Sequence, residues 1–67
     1  MNWHKGKDLK LGNIILGVRD SQRSFMARGI VLCVTEEYID VQWSWGDMEW
    51  FSTKQHEFII EEKYQDA

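Results

Sequence analysis

The segment Y-I-D-V-Q-W-S at residues 38–44 alternates apolar and polar side chains without a break. A period of two puts Ile39, Val41 and Trp43 on one face and Asp40, Gln42 and Ser44 on the other, which is the pattern of a strand with one side in a core and the other in water. Gly46 and Asp47 follow, suited to a tight reversal, and residues 48–52 (M-E-W-F-S) return as the second arm of a hairpin. Helical periodicity fails over most of the remaining chain, where apolar positions alternate or run together and are rich in Ile, Val, Trp, Tyr and Phe. The chain therefore reads as all-β.

Three further strands are expected. Residues 13–18 (N-I-I-L-G-V) enter from the bend-permitting Leu11-Gly12, and residues 58–61 form the last short strand. Residues 29–35 (G-I-V-L-C-V-T) lie between them, with Ile30, Leu32 and Val34 on one face and Val31 and Cys33 on the other. The polar stretch 19–27 (R-D-S-Q-R-S-F-M-A) reads as a long loop, Glu36-Glu37 as a turn and 53–57 as a single 3₁₀ turn. The expected core is Ile30, Leu32, Val34, Ile39, Val41, Trp43 and Phe58. Ile14, Ile15 and Leu16 are consecutive and leave the inner face of the first strand open; if both faces are covered, a second copy of the chain is the expected cover, making a homo-oligomer. Five short strands in a flat sheet would leave their edges bare, so a curled five-stranded barrel over residues 9–61 is expected. An N-terminal segment (1–8) precedes it and an acidic tail (62–67) is expected to fray.

Length matters next, because a chain of 67 residues hides only about 60% of the surface it exposes when unfolded. A deep cleft for a cofactor is not expected, no motif supports catalysis, and the chain reads as non-enzymatic. The one cysteine, Cys33, has no partner for an internal disulfide and sits between apolar strand residues, which points to a structural thiol and a reducing compartment, the cytoplasm. No apolar run approaches the roughly 18 residues of a membrane span, and Met1-Asn-Trp-His-Lys opens no signal peptide. His4 and His56 have no Cys or His neighbour at ligand spacing, so neither a zinc site nor any other cofactor is expected. The formal net charge of −3 conceals an asymmetry: residues 1–28 carry six basic groups against two acidic ones, whereas residues 29–67 carry two against nine. A fold that keeps these halves on separate faces makes a strongly dipolar molecule.

The order L-x-x-G-N-x-I, R-G-I-V-L-x-V, Y-I-D-V-Q-W-S-W-G-D and M-E-W-F-S resembles small SH3-like barrels of the Tudor and KOW type, and more narrowly the short SH3-like proteins encoded by tailed bacteriophages and some bacteria. The resemblance covers residues 9–61 and rests on hydrophobic and turn positions. It implies a five-stranded SH3-like barrel that binds a partner rather than catalysing a reaction. Asn13 stands where the pattern usually has Asp, and Ala27 where a first glycine often stands.

Two sets of residues are candidates for that contact. By resemblance to the aromatic surfaces of Tudor-like domains, Tyr38, Trp45, Trp50 and Phe51 around the hairpin form a protein-binding face; the competing reading has them packing the hairpin and covering the barrel ends. The alternative partner is nucleic acid, through Arg19, Arg23, Phe25 and Arg28, since arginines among small polar residues suit phosphate and an exposed Phe suits base stacking. Acidity after position 28 opposes that contact unless the carboxylates face away, and Phe25 and Met26 can instead fold back as a lid. Trp3, in N-W-H-K-G-K, fits no alternation and is expected to clamp the N-terminal segment onto the domain.

Overall fold

The structure, a computed structural model, describes residues 2–62; residues 63–67 of the expected tail lie outside that range. Six strands form: β1 (His4–Lys5), β2 (Ile14–Arg19), β3 (Ser24–Val34), β4 (Tyr38–Trp43), β5 (Met48–Ser52) and β6 (Glu57–Ile60). A 3₁₀ turn at Gly6–Asp8 follows β1. All pairings are antiparallel and build one sheet in the order β1-β6-β2-β3-β4-β5. The all-β class is as the sequence requires. Closure is not: the sheet is open, and β5 and β6 share no ladder. It nevertheless curls strongly. The rings of Phe51 on β5 and Phe58 on β6 lie 5.7 Å apart, edge to face, although three strands separate them in the hydrogen-bonded order. The sixth strand, β1, is two residues long, too short for any alternation to reveal it.

Two bulges supply the curl and set which side chains point inward. In β2 the register shifts between Ile15 and Gly17, so Ile15 and Val18, three apart, both enter the core and the open question about 14–16 is answered by Ile15. In β3 the shift lies between Val31 and Cys33. Phe25, Ala27, Gly29 and Val31 face inward before it and Val34 after it. The expected core positions Ile30 and Leu32 are therefore wrong: both are exposed on the outer face, and Val31 is buried in their place. Ile39, Val41, Trp43 and Phe58 are buried as expected, joined by Leu9, Ile15, Val18, Val31 and Phe51.

The long loop expected at 19–27 is also corrected, because β2 runs to Arg19 and β3 starts at Ser24. Asp20 makes the shorter turn. Its Oδ1 accepts from the backbone N–H groups of Gln22 (2.8 Å) and Arg23 (2.9 Å), and its own N–H donates to Arg23 O. The 53–57 segment is a turn over residues 53–55 rather than a 3₁₀ turn. It is held where Thr53 Oγ1 donates to Glu36 O at 2.6 Å and Thr53 N donates to Glu37 O at 3.0 Å. Between β4 and β5, Gly46 N donates to Trp43 O and Trp43 N to Asp47 O, each at 2.8 Å, with Gly46 at φ 102°, a conformation that glycine alone adopts without strain. At the other close approach, a Cβ on Gly29 would lie 2.7 Å from Val41 Cγ1 and 2.8 Å from Trp43 Cε3, so the indole packs directly over the glycine.

Candidate protein-docking face

The outer face of β3–β5 is built from the register. Ile14, Ile30, Gln42 and Met48 form one row across four strands; Cys33, Asp40 and Trp50 form the next, and Tyr38 lies opposite Ser52. Trp50 is 68% exposed, Met48 60% and Tyr38 39%, and Ile30 and Leu32 are exposed on β3, across β4 from Met48 and Trp50. This 8.0 kDa domain thus leaves an indole, a thioether, a phenol and two aliphatic chains exposed on one sheet face, a mixed patch in which Asp40 and Gln42 of β4 lie between the apolar groups of β3 and β5. The patch sits in an acidic setting, since between positions 29 and 53 the chain carries Glu36, Glu37, Asp40, Asp47 and Glu49 and no Lys, Arg or His.

The four aromatic candidates do not converge. Phe51 is 3% exposed and sits in the core, edge to face with Trp43, Phe58 and His56, so it offers no surface. Its neighbour Trp50 points the opposite way, as adjacent strand residues must. Trp45, 59% exposed, lies in the β4–β5 turn with its ring stacked on buried Trp43 (5.4 Å, 7° between planes) and its Nε1 donating to Asp47 Oδ2 at 3.1 Å. It therefore covers the end of the core while keeping one face open. Trp43 Nε1 donates to Glu49 Oε1 at 2.9 Å, so the buried indole N–H has its acceptor. Tyr38 and Trp50 share the outer face, whereas Ile30, Leu32 and Met48 belong to it without having been singled out. The missed signal was the alternation F-x-A-x-G-x-V over residues 25–31, whose inward positions include small residues and so hide the strand.

The arginine set is likewise dispersed. Arg19 forms a close pair with Glu57 (Nη2–Oε1 2.7 Å, Nε–Oε1 2.8 Å), and its guanidinium lies 4.4 Å from the centre of the Trp3 ring, so Trp3 does clamp the N-terminal segment. Arg28 pairs with Glu61 at 2.6 Å. Arg23 lies 5.4 Å from the centre of the Phe25 ring, and Phe25 packs on the core against Trp43. Asp20 has its pKa held below the ordinary 3.8, chiefly by the N–H groups of Gln22 and Arg23, with His56 and Arg23 charges adding to them. Among the described residues there is no group of three or more His, Cys, Asp or Glu arranged to hold a metal ion, and no helix is long and apolar enough to cross a membrane. No family model matches the chain, and no curated protein or solved structure matches it.

Proposed function

We propose that the chain is a non-enzymatic protein-interaction module of the SH3-like type, an accessory protein of a phage or a bacterium, that docks its partner on the outer face of β3–β5. The observation that carries this reading is the exposure of Trp50, Met48, Tyr38, Ile30 and Leu32 on the same face of β3–β5, around the outward side chains of Asp40 and Gln42. A few residues carry most of the binding energy between proteins, and Trp and Tyr are enriched among them. The strand order β6-β2-β3-β4-β5, in which the last strand returns to pair with the first long one, supports the SH3-like part of the reading. A nucleic-acid contact through Arg19, Arg23, Phe25 and Arg28 has less support, because two of the three arginines already face carboxylates and Phe25 is packed on the core.

The test is photo-crosslinking in the source cell, with benzoylphenylalanine introduced in place of Trp50, Met48 or, as a control in the β2–β3 turn, Gln22. The reading expects a discrete protein adduct from positions 48 and 50 and none from 22. No adduct from position 50, or the same adduct from all three positions, overturns it.

A further inference from the structure

A groove of about 620 Å³ opens where β1, the 3₁₀ turn, the β2–β3 turn and the 53–57 segment meet. It shares no residue with the outer face of β3–β5, and its chemistry is different. Lys5, Lys7, Arg19, Lys54 and His56 line it, together with the carboxylates Asp20, Glu36 and Glu57. Two of those carboxylates are committed. Glu57 accepts from Arg19, and Asp20 accepts two backbone N–H groups and stands 3.5 Å from His56 Nε2. Lys5, Lys7 and Lys54 remain, with the charges of Asp20 and Glu36 against them, and none of the three lysines is in an ion pair among the described residues. Lys54 is one of only two basic residues after position 28, and the fold carries it to the two lysines of the N-terminal segment.

From this juxtaposition of three unpaired ammonium groups in one groove, we propose that the groove binds the phosphate group of a small phosphorylated ligand. With Arg19 set against Glu57, three lysines against Asp20 and Glu36 leave a formal excess of one positive charge, so the groove is net cationic and attracts the charge of a phosphate. Ammonium groups on flexible stems serve phosphate as movable point charges, and each contact is a charge-assisted hydrogen bond. Arg19 adds a fixed donor: its Nε and Nη2 are spent on Glu57 while stacking on Trp3 holds the guanidinium, so Nη1 has no acceptor among the described residues. The Ser21 side chain, in the tip of the β2–β3 turn, lines the same groove and supplies a hydroxyl. A bound dianion also removes the mutual repulsion of the lysines, so binding stabilises the folded chain by mass action.

The experiment is an amide NMR titration of the intact protein with pyrophosphate at constant ionic strength, with sodium chloride as the control arm and a short single-stranded oligonucleotide as a third. The proposal expects saturable shifts at Lys5, Lys7, Ser21, Lys54 and Gln55 with a Kd on the order of 1 mM or tighter, while Gln42, Met48 and Trp50 stay still. The double variant Lys7→Gln/Lys54→Gln changes exposed residues only and keeps the wild-type spectrum, yet it should weaken pyrophosphate about tenfold or more. Shifts that chloride reproduces, or that the double variant leaves unchanged, overturn the proposal. So does binding by the oligonucleotide alone, which would assign the basic residues to a nucleic-acid backbone instead.

Discussion

Trp50 and Phe51 are neighbours in sequence, both large and aromatic, and the sheet register gives them opposite fates. Phe51 lies in the core against Trp43, Phe58 and His56, and its truncation removes buried surface and leaves a cavity that the surrounding rings cannot fill. Buried Phe→Ala changes cost about 3–5 kcal/mol. For a chain of 67 residues the whole folding stability is roughly 3–10 kcal/mol, so Phe51→Ala removes much or all of it. Trp50→Ala takes away a side chain that is already largely in water and should cost within about 0.5 kcal/mol. In a domain of this size each kcal/mol moves Tm by about 4–8 °C, so Phe51→Ala should melt at least about 12 °C lower or be unfolded outright, and Trp50→Ala within about 4 °C of wild type. Thermal and urea unfolding followed by far-ultraviolet circular dichroism read both. Equal losses, or a larger loss for Trp50→Ala, would refute the register of β5 and the docking face built on it.

The bulge in β3 predicts a second contrast, in which Val31→Ala costs about 2 kcal/mol and the exposed Leu32→Ser within about 0.5 kcal/mol, measured by urea midpoints. Gly29→Ala should destabilise by about 1–3 kcal/mol in the same assay, because the added methyl meets Val41 and the Trp43 ring. Asp20, with its pKa depressed below 3.8 in the folded chain, contributes stability that is present above that value and is lost as pH falls through the folded pKa. Asp20→Asn keeps an oxygen for the turn but removes the titration, so its melting temperature should fall less steeply than that of wild type between about pH 5 and pH 2, a range that brackets the ordinary Asp value of 3.8; parallel curves would contradict the assignment.

Strand β4 was legible because its alternation is complete, and Ile39, Val41 and Trp43 sit in the core that it implies. The hairpin to β5 was legible from Gly46-Asp47. Strand β3 was legible only in part: its first half turns Ala27 and Gly29 inward, residues without enough apolar bulk to register as a face, and its second half changes phase at a bulge that no residue type announces. Asp20 looked like loop composition, yet a single carboxylate accepting two N–H groups is enough to reverse the chain and turn the expected loop into paired strand. Of the candidate face, Tyr38, Trp45 and Trp50 were visible as unexplained aromatics. Period two already puts Phe51 on the face opposite Trp50, so the two cannot share one surface; what the sequence left open is which of those faces is the core, because β5 has apolar side chains on both. The groove beside Lys54 was invisible, since positions 5, 7 and 54 come together only through the pairing of β1 with β6 and the turn that precedes β6.

The proposed docking role requires that the exposed Trp50 indole, on a folded and stable sheet face, carries the binding energy. It is tested most directly by titration calorimetry of the partner crosslinked through position 50 against wild type, Trp50→Ala and Met48→Ala, with the melting temperature of each recorded in parallel. A central hot-spot residue is worth about 2 kcal/mol or more, so the affinity for Trp50→Ala should fall about 30-fold or more while its melting temperature stays within a few degrees of wild type. Affinity that Trp50→Ala leaves unchanged, or that falls only in step with a lowered melting temperature, would contradict a docking role for Trp50.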